Sequence, residues 1–334
     1  MLSLDSCISS LFMEELKVMQ IVSKEKIGST PAIQIDGVHK RFGDYTVLNN
    51  LSLQVNRGEV FGFLGLNGAG KTTTIKMLLA MLRPTSGKLY MLGEKVDAGN
   101  YKLWSKVGYL EEATFYPDLT VTENLDIARR MQGVPDKDAV HQVIYKLGLE
   151  PHKKKKAKHL SLGNKQRLGL AKAMIHNPEI LILDEPINGL DPAGVAEIRN
   201  MLYNLAHNFG VTVFISSHLL EELSKVSTRI GIIHSGQLVQ EVAMDKLEQS
   251  LQKSLVVNGR NKPALKKVLE EHGYAFEDTP DGSIKLTDEH AADQPERLAE
   301  LLVQSNQPPT SLRVITEDLE GYFLRTIGVN RGIK

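Results

Sequence analysis

The sequence predicts an α/β protein with a mixed, largely parallel sheet, followed by a small α+β domain. Two observations predict this fold. In the first part of the chain, short runs of nearly continuous apolar residues alternate with helical segments, as is typical of strands buried on both faces of a parallel sheet. The clearest runs are residues 180–183, 211–216 and 230–234. After residue 254, short strands and helices alternate around a turn at residues 280–282, which predicts the second domain.

The composition is that of an ordinary globular protein. The chain has 334 residues with 40 Lys and Arg against 40 Asp and Glu, so the formal net charge is zero and a broadly basic nucleic-acid-binding surface is not expected. The single cysteine, Cys7, excludes an internal disulfide framework and a zinc site built from several cysteines. No run of about 20 predominantly apolar residues predicts a transmembrane helix. We therefore expect a cytoplasmic protein.

Breaks in the pattern predict three parts along the chain. Residues 1–31 lack strong periodicity and end in a cluster of Gly, Ser, Thr and Pro, so we expect a poorly ordered N-terminal extension. Residues 32–245 carry the alternating strand-like and helical segments. A stretch rich in Lys, Gln and Ser then reaches Ser254, where we expect a linker. Residues 255–330 form the predicted accessory domain.

A glycine-rich segment matches the phosphate-binding pattern G-x-x-x-x-G-K-[ST] at every fixed position. Its residues are Gly65, Leu66, Asn67, Gly68, Ala69, Gly70, Lys71 and Thr72. The apolar run 60–64 precedes it, and a helix is predicted over residues 72–82. Glycines let backbone N–H groups turn toward phosphates, and the helix N-terminus adds partial positive charge. The pattern predicts that Lys71 binds the β and γ phosphates, Thr72 binds magnesium, and Thr73 donates to the α phosphate.

Two carboxylates follow the apolar run 180–183. Ligands of open α/β sheets bind at the carboxyl ends of the strands, so Asp184 and Glu185 are expected beside the phosphate loop. Asp184 is then a candidate to hold magnesium, directly or through water. Glu185 is placed to orient and polarise the attacking water. A strand that ends in an acidic turn is common by itself, so both predictions depend on the phosphate loop.

A third segment, residues 160–167 with the sequence LSLGNKQR, lies shortly before the acidic strand. With this segment, the order of motifs over residues 32–245 resembles that of the ATP-binding subunits of ABC transporters. Leu162 replaces the first glycine of the family's LSGGQ-type signature, and Asn164 replaces the glutamine. The form LSLGxKQR is similar to that of exporters with a separate membrane subunit, including peptide-antibiotic resistance and lantibiotic immunity pumps. The resemblance implies the P-loop NTPase fold of the ABC type, with a helical subdomain at about residues 113–165.

The resemblance also implies binding residues outside these local motifs. Phe42 corresponds to the aromatic residue that stacks on adenine, although a core phenylalanine at a strand end has the same sequence pattern. His218, just after the run 211–216, corresponds to the histidine that contacts the γ phosphate. Asp191 lies in the loop that crosses the dimer interface, and its place before Pro192 also predicts a helix N-cap.

The loop that normally carries a glutamine near magnesium corresponds to residues 108–112. Glutamate replaces glutamine here, and the equivalent position falls on Glu111 or Glu112. Both are therefore candidate magnesium ligands.

The resemblance implies two kinds of partner. Two ATP-binding domains of this family close head to tail, so Ser161 and Gly163 of one copy face the γ phosphate that Lys71 of the other holds. We therefore expect an ATP-dependent homodimer. A separate integral membrane permease is the second partner, and it would attach the chain to the cytoplasmic face of the membrane. No nucleic acid partner is expected.

The predicted function is that of a magnesium-dependent ATPase subunit that drives export of a drug, peptide or other small molecule through the permease. The alternative is a soluble ATPase of the same family that acts on nucleic acid or ribosomes. Such proteins usually carry two ATP domains, zinc cysteines or long coiled coils, and the sequence contains none of these. A small-molecule kinase shares the phosphate loop but does not predict residues 160–167 or His218.

Overall fold

The computed structural model describes residues 30–110, 114–279, 281–286 and 288–328. The predicted N-terminal extension lies outside these residues except for its last two positions, and Glu111 and Glu112 also lie outside them. The chain divides after Met244 into two compact units.

The described strands of the first unit form two sheets. They are β1 (Ile33–Phe42), β2 (Tyr45–Val55), β3 (Val60–Leu64), β4 (Ser86–Met91), β5 (Glu94–Lys95), β6 (Val107–Leu110), β7 (Ile180–Asp184), β8 (Thr212–Ser217), β9 (Arg229–His234) and β10 (Gln237–Ala243). The larger sheet has the order β10-β9-β3-β8-β7-β6 and is parallel except for β10, which pairs antiparallel with β9. The smaller sheet is antiparallel with the order β2-β1-β4-β5.

The central strands of the larger sheet are buried on both faces. Every residue of β3, β7 and β8 is buried. The ring of Phe214 in β8 lies 5.7 Å from that of Phe61 and 5.3 Å from that of Phe63, both in the neighbouring strand β3. The prediction of a largely parallel sheet from nearly continuous apolar runs is therefore confirmed, because both faces of these strands pack against other elements.

Helices connect these strands. They are α1 (Lys71–Leu78), α2 (Tyr101–Trp104), α3 (Val121–Met131), α4 (Asp138–Lys146), α5 (Leu162–Met174), α6 (Pro192–Phe209) and α7 (Leu220–Val226). The helix predicted over residues 72–82 ends earlier, because Ala80 adopts a left-handed conformation with φ 54°. The predicted ends of α6 are confirmed: the Asp191 side chain caps its first turn, and Gly210 ends it with φ 66°.

Helical structure fills most of the segment before the signature sequence. It contains α3, α4 and two short 3₁₀ helices, Glu150–His152 and Ala157–His159. The N-terminus of α3 is closed by a capping box, in which Thr120 accepts from the Glu123 N–H and the Glu123 carboxylate accepts from the Thr120 N–H.

The second unit has an antiparallel sheet with the order β12-β13-β11-β14. Its described elements are α8 (Met244–Ser250), β11 (Lys253–Gly259), α9 (Lys262–Glu271), β12 (Phe276–Asp278), β13 (Ile284–Leu286), α10 (Glu289–Asp293), α11 (Pro295–Gln304), β14 (Pro309–Thr316) and α12 (Leu319–Thr326). The core forms between the sheet and the apolar faces of α9 and α11. The stretch predicted to be a linker up to Ser254 instead contains α8 and the start of β11.

Across the described ranges, every helix is too short or too polar to cross a lipid bilayer.

Candidate nucleotide site

Three glycines of the phosphate loop occupy positions where a side chain would clash or strain the backbone. A Cβ atom on Gly65 would lie 2.6 Å from the carbonyl oxygen of Ile233 in β9. Gly70 adopts φ 111° at the start of α1, and a Cβ atom there would lie 2.6 Å from Leu48 Cδ2. Gly68 has open space around it but a φ of 83°, which a side chain disfavours. The loop therefore holds its shape through positions that only glycine fills without strain.

Lys71 is the buried cation of this loop. Its side chain is 6% exposed, and Nζ donates to the carbonyl oxygens of Gly65 at 2.6 Å and Leu66 at 3.4 Å. A carboxylate oxygen of Glu185, Oε1, lies 3.6 Å from the same nitrogen. A buried cation is costly unless an anion compensates it. A glycine loop that encloses an ammonium group at a helix N-terminus is therefore suited to a phosphate.

Asp184 and Thr72 supply oxygen atoms beside the loop. The Thr72 hydroxyl donates to Asp184 Oδ2 at 3.2 Å, and the Ser216 hydroxyl donates to Asp184 Oδ1. Asp184 is 7% exposed. A hydroxyl and a carboxylate are the hard oxygen ligands that magnesium prefers when it also binds nucleotide phosphates. The two candidate ligands, brought together from α1 and β7, therefore fit a magnesium ion.

Glu185 and His218 form a hydrogen-bonded pair at the same edge of the sheet. Glu185 Oε2 lies 3.0 Å from His218 Nδ1. Because an ionised carboxylate only accepts hydrogen bonds, Nδ1 is the donor in this contact. Glu185 adopts φ 50° and its N–H donates to Ser216 Oγ at 3.2 Å. A left-handed glutamate is a strained conformation of the kind that clusters at functional sites.

These residues meet because β3, β7 and β8 are parallel neighbours, whose carboxyl ends lie at one edge of the sheet. The structure thus brings together Lys71, Thr72, Asp184, Glu185 and His218, as the sequence predicts.

The signature residues form a separate group. Ser161 is the N-cap of α5, and its Oγ accepts from the Asn164 N–H at 3.4 Å. A Cβ atom on Gly163 would meet nothing within 4 Å. In the part of the chain that the structure describes, no hydrogen bond or ion pair joins Ser161 to Lys71 or Glu185.

Two other predicted residues have clear local environments. Phe42 lies at the end of β1 and is 49% exposed, with Lys40 Nζ 4.7 Å from its ring centroid, so the alternative of a core phenylalanine is wrong. Asp191 Oδ1 accepts from the Gly194 N–H at 2.9 Å as the N-cap of α6. Stacking of Phe42 on adenine and contact of Asp191 with a second copy stay predictions.

Comparison with known proteins assigns the family. A profile of the ABC transporter family matches residues 48–188. The chain is 38% identical over 301 residues to the bacitracin transport ATP-binding protein BcrA of Bacillus licheniformis, covering 89% of this chain and 97% of that protein. The chain belongs to the ABC transporter ATP-binding proteins. The predictions of an ATPase and of a transport-coupled function are thereby confirmed, and the alternative of a soluble ATPase acting on nucleic acid or ribosomes is not favoured.

Other relatives agree with this assignment. The lantibiotic transport ATP-binding protein SrtF of Streptococcus pyogenes is 36% identical over 217 residues, which cover 65% of this chain and 93% of that protein. Among solved structures, the ATP-binding subunit of an ABC transporter is 25% identical with a TM-score of 0.58, covering 66% of this chain and 92% of that one. A dimeric ATP-binding cassette in a post-hydrolysis state with ADP and Pi has the same fold, with 24% identity and a TM-score of 0.56, and covers 64% of this chain and 98% of that one.

Sequence reasoning missed one acidic residue of this ABC ATPase. Burial raises the pKa of Glu222, and the charge of Glu185 raises it further, while His218 and a hydrogen bond from Ser217 oppose the shift. Glu222 therefore lies near the Glu185–His218 pair. Its position four residues after His218 in the chain is the signal that could have found it.

The ABC chain also has a groove beside its helical segment. The groove has a volume of about 630 Å³ and is lined by parts of α3, α5, β6 and the segment 114–116. Tyr116 and Met131 are exposed apolar residues in its lining. Lys172 of α5 donates to the carbonyl oxygen of Thr114, and burial lowers the pKa of Lys172. The signature helix is thus tied to the chain that follows residues 111–113.

Proposed function

We propose that this chain is one half of an ATP-dependent homodimer that drives a separate membrane permease, attached at the cytoplasmic face, and exports a peptide antibiotic or a related molecule. The observation that carries the proposal is the division of the nucleotide-binding residues into two groups. Lys71, Glu185 and His218 form one group, whereas Ser161 and Gly163 form another with no hydrogen bond to the first among the described residues. A second copy, placed head to tail, supplies the missing group to each site.

The ATP site operates through the residues of the first group. The γ phosphate replaces the Glu185 carboxylate as the partner of Lys71, because a phosphate carries more charge and the Lys71 ammonium is already held inside the loop. Glu185 then accepts a hydrogen bond from the attacking water and polarises it. His218 donates from Nδ1 to Glu185, and this contact holds the carboxylate near the position of the γ phosphate.

Magnesium, held by Thr72 Oγ1 and Asp184 Oδ2, would neutralise charge that develops on the transferred phosphoryl group. The Ser216 hydroxyl keeps Asp184 oriented through its other carboxylate oxygen. Positioning and charge neutralisation account for most of the catalysis of phosphoryl transfer, so these residues suffice without a covalent intermediate on the protein.

Nucleotide-driven closure follows from the same contacts. The γ phosphate, which ADP lacks, would contact Lys71 of one copy and Ser161 of the other. A ligand shifts an equilibrium only by its differential affinity for the two states, so ATP favours the closed dimer and hydrolysis lets it open. The dimeric relative that contains ADP and Pi supports this arrangement by similarity of fold.

Two features support the membrane partner and the cargo class. The groove of about 630 Å³ beside α3 and α5 exposes Tyr116 and Met131, and exposed apolar surface in a concave region is suited to a protein partner. A bacitracin transport ATP-binding protein and a lantibiotic transport ATP-binding protein match this chain over most of their own length. These two relatives support a peptide-antibiotic cargo.

Deletion of the gene in its source cell tests this function. We expect susceptibility to bacitracin or to a lantibiotic to rise several-fold, and the wild-type gene to restore resistance. A gene that encodes the Glu185→Gln variant should not restore resistance, although the variant protein should still co-purify with a polytopic membrane protein. Unchanged susceptibility to both peptide classes would contradict the cargo assignment. ATPase activity that ribosomes or RNA stimulate, without a membrane partner, would contradict the transport role.

A further inference from the structure

The amide of Asn164 bridges two side chains at the start of the signature helix. Its Nδ2 lies 3.0 Å from Ser161 Oγ and 3.2 Å from His152 Nε2. The backbone N–H of Asn164 also donates to Ser161 Oγ, at 3.4 Å. Asn164 stands where the signature of this family carries glutamine, and His152 lies 12 residues away in a separate 3₁₀ turn. The departure from the signature therefore coincides with a contact between two different segments.

The donor and acceptor roles in this group follow from its chemistry. The amide nitrogen carries two hydrogens and only donates. Ser161 Oγ and His152 Nε2 are therefore the two acceptors of the amide. Ser161 Oγ accepts from both N–H groups of Asn164, so both of its acceptor positions are used. The hydroxyl hydrogen of Ser161 then remains as the one group that it can offer to a ligand.

The environment of the Ser161 hydroxyl hydrogen favours an anion as the ligand that accepts from it. Ser161 caps α5, a helix of 13 residues, and the N-terminus of a helix carries partial positive charge. A serine whose acceptor positions are filled cannot turn a lone pair toward a phosphate, which would be repulsive. It can only donate. The Asn164 contacts thus prepare Ser161 as a donor before any nucleotide arrives.

His152 holds the amide in this orientation at a cost to the fold. Its Nδ1 is buried and, among the described residues, has no hydrogen-bond partner. A buried polar atom without a hydrogen-bond partner destabilises a protein. The contact between His152 and Asn164 therefore does not serve stability alone, and an apolar residue of similar size at position 152 should be tolerated by the fold.

We propose that Asn164 and His152 are positioning residues that fix the Ser161 hydroxyl as a hydrogen-bond donor to the γ phosphate bound by a second copy of this chain. His152 fixes the rotation of the Asn164 amide, and the amide fixes the hydroxyl. The inference rests on the proposed homodimer, because Ser161 and Lys71 belong to different groups within one chain.

The test measures ATP-dependent dimerisation, kcat, and the ATP affinity of the monomer for four variants. They are Asn164→Leu, Asn164→Gln, His152→Phe and Ser161→Ala. Ser161→Ala should weaken ATP-dependent dimerisation about tenfold, the effect of one charge-assisted hydrogen bond. Asn164→Leu, which keeps the size but removes the donor, should weaken it by a similar factor. His152→Phe should have a smaller effect in the same direction, and Asn164→Gln should restore most of the affinity.

Three controls separate positioning from folding. ATP affinity of the monomer should be unchanged in all four variants, because Lys71 and its loop are intact. Asn208→Leu, which removes a surface amide that donates to Asn204 on α6, should leave dimerisation unchanged. In the Ser161→Ala background, Asn164→Leu should add no further loss, because its effect passes through Ser161.

The outcomes distinguish this inference from the proposed function. If Ser161→Ala weakens the dimer and Asn164→Leu does not, the positioning role is wrong and the homodimer stands. A full additional loss from Asn164→Leu in the Ser161→Ala background would also overturn it. If Ser161→Ala itself has no effect on ATP-dependent dimerisation, the proposed function fails along with the inference.

Discussion

The two units of the chain differ in what they bury. The first unit buries the charged groups of Lys71 and Asp184 together with the hydroxyls of Ser216 and Ser217, all near the carboxyl edge of its parallel sheet. In the second unit, the buried residues that carry a polar group include Ser283 and Tyr322, and the core cluster is entirely apolar. The first unit therefore carries the predicted nucleotide chemistry, whereas the core of the second unit is apolar.

The difference has a cost that is visible in the first unit. Burying a charge is unfavourable unless a partner compensates it. The ammonium of Lys71 is compensated by two carbonyl oxygens and by Glu185, and the carboxylate of Asp184 by the hydroxyls of Thr72 and Ser216. Substitutions of the site residues in the first unit should therefore change the chemistry, and core substitutions in the second unit should change stability without changing the chemistry.

The largest expected effect is on turnover in the first unit. Glu185→Gln should lower kcat about 10²- to 10³-fold, because the amide cannot polarise the attacking water as a carboxylate does. ATP binding should persist, and the variant should accumulate as a closed dimer in size-exclusion chromatography with ATP. Lys71→Ala should instead weaken nucleotide binding itself.

Glu179→Gln is the matched control for Glu185→Gln. Glu179 lies just before the other end of β7, where it pairs with Arg57 and Lys106 at the surface. The Glu179→Gln variant should keep wild-type kcat, since surface ion pairs contribute little to stability. Near-normal hydrolysis by Glu185→Gln would remove Glu185 from the base role.

The next effect is on the stability of the second unit. Leu302→Ala removes a fully buried side chain of α11 from the core cluster, and such substitutions cost about 2 to 5 kcal/mol of unfolding free energy. Denaturant unfolding should show this loss, while the ATP affinity of the first unit stays unchanged. Val303→Ala, at an exposed position on the same helix, is the control and should have little effect. A fall in ATP affinity with Leu302→Ala would contradict the separation of roles.

The smallest effect is pH dependent. Burial raises the pKa of Glu222, so the folded chain holds this proton more tightly than the unfolded chain does. The ionised form is therefore penalised in the fold, and stability falls as the pH rises through the range between the two pKa values. Glu222→Gln removes the penalty and should raise Tm by no more than about 2 °C at about pH 8.

That gain should vanish at about pH 4, below the raised pKa, because Glu222 is then protonated in the fold. Glu221→Gln is the matched control, since Glu221 is the exposed neighbour that pairs with Lys225. A gain in Tm from Glu222→Gln that is independent of pH would show that burial of the charge is not its cause.

Much of the site could be predicted from the sequence, because its parts are local patterns. The glycine spacing up to Lys71 and Thr72 predicts the loop, and the run before Asp184 and Glu185 predicts a buried strand with carboxylates at its end. The end of α1 could not be predicted, because the left-handed conformation of Ala80 depends on the turn that follows. The regular structure in the stretch before Ser254 could not be predicted for a similar reason, since α8 and β11 form there despite a polar composition.

By itself, the sequence determined the family, the phosphate loop and the strands of the parallel sheet, because each depends on residue types at short, regular spacings. Only the tertiary structure decided which side chains meet. The order β3-β8-β7 brings His218 into hydrogen-bond contact with Glu185, and Ser216 into hydrogen-bond contact with Asp184. The contact of Asn164 with His152 joins two segments that share no local pattern. Such contacts depend on which elements become neighbours, and that is set by packing of the whole unit rather than by any local motif.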